Sequence, residues 1–328
     1  MGKRFLLFGL LLAMVAPQVS IADSVKISEW LVPWDKTSPG DPFVDQRGRV
    51  WFAGERGDYV ANLSPVSGDF SRYDLEPGTA PHHLLVSNTD MVWFSGDRQR
   101  YIGRLDPATG RIDRYEMPVS KARDPRALAF DSAGNIWFTV QHGNFVGKLT
   151  VASGNVQLIE IPVRKARPSD IVVNSRDEPW AAAFGRNLLL RIDPDSMEIT
   201  EIELPNDKAR PRRLVTTSDN RVWWADHERG YLGSYDPVSG KFAEWSMPGG
   251  EDSEPWGMAV DRYDRIWIME SGLEPNILVG FDTEATRFFS SSSIPSGGGG
   301  VQDMYYFEPA GEVWFAGGSN YIGRASVH

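Results

Sequence analysis

Seven tryptophans at near-regular intervals constrain this chain more than any other feature. Turn-plus-strand segments recur as "DQRGRVWF", "SNTDMVWF", "DSAGNIWF", "NSRDEPWA", "TSDNRVWW", "DRYDRIWI" and "EPAGEVWF", ending near Trp51, Trp93, Trp137, Trp180, Trp223, Trp267 and Trp314. The intervals are 42, 44, 43, 43, 44 and 47 residues. Self-similarity at a fixed period of this size marks a repeat architecture, in which each unit buries its apolar face against its neighbours. Each repeat holds a further hairpin, as in "YIGRLDPATGRIDRYEMP" and "YLGSYDPVSGKFAEWSMP", where an Asp-Pro-x-x-Gly turn joins two alternating runs. A proline-led apolar strand such as "DPRALAF" or "EPWGMAV" precedes each tryptophan and is read as the innermost strand. Four short strands in roughly 40–45 residues is the pattern of a propeller blade. The expected fold is therefore all-β, a seven-bladed β-propeller with four-stranded blades.

The chain ends predict how the ring closes. The last repeat stops three strands in, after "YIGRASVH", while "VKISEWLVP" near the start matches the fourth-strand pattern of "GKFAEWSMP". The N-terminal strand is expected to complete the C-terminal blade, which removes two open sheet edges. No composition shift divides residues 23–328, so one domain is expected there. The run "SSSSIPSGGGG" before the last repeat reads as a flexible connection.

Ahead of the repeats, Lys3 and Arg4 precede an apolar run from Phe5 to Val15, followed by small residues at Ser20 and Ala22. This is the pattern of a signal peptide over residues 1–22, cleaved on export to the periplasm or the exterior. The run is too short to span a bilayer, so no membrane insertion is expected. Losing Lys3 and Arg4 takes the net charge from −10 to −12. Such an acidic surface argues against sequence-independent nucleic-acid binding. With no cysteine in the chain, metal chemistry must rest on carboxylates, carbonyls and the five histidines. A monomer is expected.

Repetition assigns the tryptophans to packing, and it also supplies a ruler. Eleven residues before six of them lie His82, Arg126, Ser169, Arg212, Trp256 and Asp303. Two residues further back lie Ala80, Asp124, Arg167, Arg210, Glu254 and Val301. Alternation along a strand turns these two columns the same way. Three residues after the tryptophan the series is Gly54, Gly96, Val140, Ala183, Asp226, Glu270 and Gly317. Only Asp226 and Glu270 break that small or apolar column. If inner strands begin at the rim where the next strands end, Glu254 and Glu270 face each other across one blade, with Arg212 and Asp226 beside them. Three consecutive blades are entered through "SKARDPR", "RKARPSD" and "NDKARPRR", an arc that includes Arg126, Arg210, Arg212 and Arg213. These groups either pair with neighbouring carboxylates or form a pocket for an anionic or carbonyl-rich ligand, since arginine suits bidentate contacts. Trp256 and Trp224 are expected to add a flat apolar face to this rim.

The units "GNIWFTV…NFVGKL…EIPVRKARP" and "ITEIELPNDKARP" resemble the repeats of the virginiamycin B lyase (streptogramin lyase) family across residues 23–328. The resemblance implies a seven-bladed propeller that opens cyclic depsipeptides by eliminating an ester, with magnesium at the channel mouth. In that family a metal-binding acid stands two residues before a catalytic histidine in Glu-Pro-His-Gly, and a second acid follows in the next strand. A further histidine, which contacts substrate, follows Arg-Pro one blade earlier. By that match Glu254 and Glu270 take the metal positions, while Trp256 and Arg212 stand where the two histidines belong. Elimination needs a base beside the polarised carbonyl, and His227 in "WWADHERG" is the one nearby candidate, although a loop histidine is the commoner reading. His82 holds the histidine column three blades away, where Ala80 replaces the paired acid. The expectation is thus an exported propeller that binds a small-molecule or peptide ligand at its mouth through Arg212, Trp256, Asp226, Arg126 and Arg210. The alternatives are a divergent Mg-assisted carbon–oxygen lyase and a protein-interaction scaffold.

Overall fold

The computed structural model describes residues 24–328. The expected signal peptide lies outside the described residues. The described residues form 28 strands, β1–β28 in chain order, in seven four-stranded antiparallel sheets. The inner strands are β2 (Pro39–Val44), β6 (Pro81–Val86), β10 (Pro125–Phe130), β14 (Pro168–Val173), β18 (Pro211–Thr216), β22 (Pro255–Val260) and β26 (Asp303–Phe307). Each blade then runs outward in chain order, and neighbouring inner strands contact one another around the whole ring. This is the seven-bladed propeller expected from the repeats.

Closure follows the predicted route. The seventh sheet has the order β1-β28-β27-β26, with β1 (Lys26–Leu31) on the outside of β28 (Tyr321–Ser326). Six residue pairs from Lys26↔Ser326 to Leu31↔Tyr321 form the seam. Asn320 Nδ2 donates to the carbonyls of Val32 (3.0 Å) and Trp34 (2.9 Å), and Trp30 stacks on Trp314 with ring centroids 5.5 Å apart. The sheet edge left by the C-terminal strand is thus covered by the start of the chain.

Every repeated tryptophan is buried and packs into the following blade. Trp51 lies among Leu84, Val92 and Phe94 of the second blade, and Trp137 among Ile171 and Ala181 of the fourth. Trp314 returns to Val44, Val50 and Phe52 of the first. A buried indole is favoured where its N–H finds a partner. Trp51 and Trp267 donate to Asp45 (2.9 Å) and Asp261 (3.0 Å), which explains the acid six residues upstream in those turns.

The residue after each tryptophan faces the other side of the sheet and is matched in size across the ladder. Phe94, Phe138, Trp224 and Phe315 pair with Gly103, Gly147, Gly233 and Gly323, and a Cβ on any of these glycines would overlap the facing ring. Where this residue is small the glycine is replaced, as in Ala181↔Leu190. Close packing of the interior favours this exchange of sizes, while the first and sixth blades fill the same point with Phe52↔Ala61 and Ile268↔Val279. Trp224 therefore belongs to the core, fully buried in the fifth blade, and not to the rim where its sequence suggested a ligand-facing ring.

Six inner strands carry a register shift just after their leading proline, for example between Pro125 and Leu128 or Pro211 and Arg213; β26 has none. A bulge sets two residues against one and interrupts the alternation of side chains. The glycine run also differs from a loose tether. Gly297 to Gly300 all have positive φ (88°, 75°, 67° and 80°), a conformation cheap only for glycine. Asn276 Oδ1 accepts the N–H groups of Gly300 (2.9 Å) and Val301 (3.1 Å), so the turn is fixed against the sixth blade.

Candidate functional site

Leading prolines pair with the ends of the next strands, Pro211 with Asp226 and Pro255 with Glu270. The columns read from the sequence thus meet at one rim. Glu254 precedes Pro255 in a left-handed conformation (φ 39°), and its side chain is 58% exposed, with Oε2 4.0 Å from His227 Nε2. Glu270 is buried and turned inward, its Oε1 accepting the Gly249 N–H at 2.6 Å. Burial raises the pKa of Glu270, with the Gly249 hydrogen bond opposing the shift. The two acids share an end of one blade, and no third His, Asp or Glu completes a compact ligand group with them among the described residues. A hard cation held by this pair would keep most of its coordination shell as water, which suits Mg²⁺.

Beside them the mouth is organised around Arg212. Its guanidinium carbon lies 3.4 Å from the Trp256 ring centroid and 4.6 Å from that of Phe184. The His227 ring stands edge-on to Trp256 at 5.4 Å. Burial lowers the Arg212 pKa to about 10, helped by the positive charges of Arg126 and Arg213. Among the described residues no carboxylate lies within 4.0 Å of this guanidinium, whereas the adjacent Arg213 and the nearby Arg229 each have one. Arg126, two blades away, is held only loosely, 3.8 Å from Asp97 Oδ2. Between them Ser169 Oγ donates to the Arg212 carbonyl (2.8 Å). His227 is largely buried, and burial followed by the nearby Arg212 charge lowers its pKa, which keeps the imidazole neutral near pH 7.

The remaining two expected ligand contacts are spent on the scaffold. Asp226 has no exposed surface; its Oδ1 accepts the Arg210 N–H (2.9 Å) and its Oδ2 is paired with Arg229 (2.9 Å), which also reaches Glu244 (2.8 Å). Arg210 folds its guanidinium back onto the carbonyls of Asp207 (2.9 Å) and Ala209 (2.6 Å). Arg126, Arg212 and Trp256 thus share the mouth with Phe184 and His227, whereas Asp226 and Arg210 brace the rim beneath it.

One layer deeper, the channel holds a group that the column reading missed. Arg213 is buried against Asp170 (2.9 Å), Asp303 (3.0 Å) and Asp41 (3.5 Å), drawn from three other blades. His83 Nε2 is 3.2 Å from Asp303 Oδ2. The bulge is the reason: it lets Arg212 and Arg213, successive residues, both reach the channel. Because β26 lacks the bulge, Asp303 joins this deeper layer and not that of Arg212. The detectable signal was the next column, ten residues before the tryptophan, with Asp41, His83, Asp170 and Arg213 on otherwise apolar strands.

Asp41, His83 and Asp303 are the one group of three His, Asp or Glu residues among the described residues with ligand atoms within 4.8 Å of one another. Its chemistry is that of a closed ion cluster. His83 Nδ1 accepts the Leu128 N–H (3.4 Å), which places the ring proton on Nε2 toward Asp303. Arg213 supplies the positive charge. Burial and the Asp303 charge push Asp41 well above the usual carboxylate range. Burial also acts on Asp303, but Arg213 and His83 outweigh it and hold that group low. Above the cluster, Asp41 and His82 line a cavity of about 210 Å³ with Gly299, Gly300 and Gln302. On its other side a cavity of about 430 Å³ reaches the cluster at His83, Asp170, Arg213 and Asp303 and is lined further out by Phe130 and Tyr305.

Residues 18–274 match the model of the virginiamycin B lyase family. Among solved structures, the selenomethionine-substituted virginiamycin B lyase from Staphylococcus aureus is 22% identical with a TM-score of 0.84, covering 93% of this chain and 100% of that one. A catalytically inactive variant of the S. aureus enzyme with quinupristin gives the same values. A structure described as streptogramin B lyase is 21% identical with a TM-score of 0.83, covering 92% of this chain and 98% of its own. At this identity these likenesses establish the fold. No curated protein matches the chain.

Proposed function

The chain belongs to the virginiamycin B lyase family, and from that premise we propose that it is an exported ligand-binding propeller whose channel mouth takes a small molecule or peptide. The observation that carries the reading is Arg212, a largely buried guanidinium stacked by Trp256 and Phe184 with no carboxylate within 4.0 Å. A charge taken out of water without a partner is costly, and such groups persist where a ligand uses them. By the family resemblance Trp256 and Arg212 occupy the places of the two histidines, which supports binding over ester elimination. Fold alone does not carry an activity when the groups that perform it are replaced. The test is a ligand screen on the purified protein followed by Trp256→Leu and Arg212→Gln. Ligands whose binding survives both changes in folded protein would overturn the assignment to this mouth.

A second reading, a divergent lyase, is favoured by one contact: His227 Nε2 approaches Glu254 to 4.0 Å. In that reading Glu254 and Glu270 hold Mg²⁺, which when bound polarises a carbonyl, and the neutral His227 accepts the proton beside it. Bound metal is measured in wild type and in the Glu254→Gln, Glu270→Gln double variant, and both are assayed on a cyclic depsipeptide. Turnover that needs both acids and disappears in His227→Ala favours the lyase; no turnover by the metal-loaded wild type favours the binding module.

A further inference from the structure

We infer that the ligand of this mouth carries a carboxylate, gripped edge-on by the in-plane N–H groups of Arg212 with Arg126 as the second positive contact. This rests on the reading of the mouth as a ligand site and names the chemical class it selects.

Two arginines adjacent in sequence make the case by contrast. Arg213 is buried and surrounded by Asp170, Asp303 and Asp41. Arg212 stacks on the faces of two aromatic rings, and the carboxylates of Glu228 and Glu254 act on it from beyond ion-pair distance. Ring contacts use the face of the guanidinium, whereas its five donors lie in its plane. Stacking therefore orients the fork and leaves its hydrogen bonds unspent. Arg126 and Arg213 set like charge around Arg212, which the more weakly acting carboxylates of Glu228 and Glu254 oppose. An anion at the mouth relieves that repulsion.

A planar carboxylate is the anion that fits best. Its two oxygens match the spacing of two guanidinium donors, and a bidentate pair of this kind is stronger and more directional than a neutral hydrogen bond. Glu254 stands exposed at the same rim and the chain is acidic overall, so a monoanion is favoured over a dianion such as a phosphate ester. Trp256 and Phe184 act here as positioning residues that hold the Arg212 plane.

The experiment uses three probes of one shape on the exported protein, residues 23–328: benzoate, benzamide and phenyl phosphate, titrated by calorimetry. Benzoate is expected to bind roughly tenfold or more tightly than benzamide, as a charge-assisted contact against a neutral one. Arg212→Gln should abolish the difference, and Arg212→Lys, which keeps the charge without the fork, should not restore it. Trp256→Phe should retain part of the preference and Trp256→Leu lose it. Tighter binding of phenyl phosphate, or full rescue by lysine, would overturn the carboxylate assignment. Equal binding of benzoate and benzamide, lost in Trp256→Leu, would overturn it while leaving the ligand site in place. Failure of all three probes to bind a folded wild type would also overturn it, and the ligand screen then judges the site separately.

Discussion

Arg212 and Trp256 occupy the same position of adjacent blades, and the guanidinium carbon of the first lies 3.4 Å from the ring centroid of the second. Neither is part of the packed interior between sheets, so their contact is a separable unit. We expect a double-mutant cycle with Arg212→Met and Trp256→Leu to give a coupling of about 0.5–2 kcal/mol, the range of a partly desolvated cation–π contact. Urea unfolding of the four proteins measures it. A coupling within error of zero would mean that the stack does not hold the arginine.

The neighbouring Arg213 should behave differently. It is the positive centre of a buried cluster containing Asp41, Asp170 and Asp303, and His83 also bonds to Asp303. Removing one partner of a buried pair leaves the others uncompensated, at a cost of about 3–5 kcal/mol. Arg213→Met is thus predicted to lose that much stability in urea unfolding, while Arg212→Met loses far less. Equal losses would contradict the assignment of one arginine to the scaffold and the other to the mouth.

The contrast also marks how far the sequence was legible. Blade number and closure could be read because Trp51 to Trp314 recur with one period and "SEW" at Trp30 repeats the fourth-strand pattern of "AEW". The rim shared by Glu254 and Glu270 followed from the same ruler and appears in the Pro255↔Glu270 register. What could not be read depends on contacts between distant turns. Asp226 stood out from its column, but only the approach of Arg229 and the Arg210 N–H decides that it is buried in the scaffold. Arg213 was counted with the rim arc, and pairing with neighbouring blades' carboxylates was one of its two readings; the deeper layer it occupies was hidden because regular alternation does not show a bulge. Trp224 broke no rule in retrospect: it fills the place of Phe94 and Phe138 opposite a glycine.

The paired acids predict a pH signature. Asp41 has a folded pKa raised above its ordinary value by burial and by Asp303. A raised carboxyl favours folding while it is protonated, so its contribution is fully present below about pH 4 and is lost as pH rises through the folded value. The Asp41→Asn variant stays neutral throughout and should gain stability relative to wild type as pH increases from about 4 to 8. Urea midpoints of the two proteins across that range decide it. A difference that does not change with pH would refute the shift.

Size matching across the second and third strands offers a test of packing that is independent of charge. Phe138 faces Gly147 in the third blade, and the fourth blade solves the same position with Ala181 opposite Leu190. Phe138→Ala alone should cost about 3–5 kcal/mol by leaving a cavity. Gly147→Leu alone should cost at least about 1–3 kcal/mol, because the new side chain runs into the Phe138 ring. Gly147 has no positive φ to forbid a side chain, so combining the two changes imports the arrangement of the neighbouring blade. The double variant is therefore expected to recover most of the summed loss in urea unfolding. Additive losses would show that the pairing is incidental to how each blade fills its core.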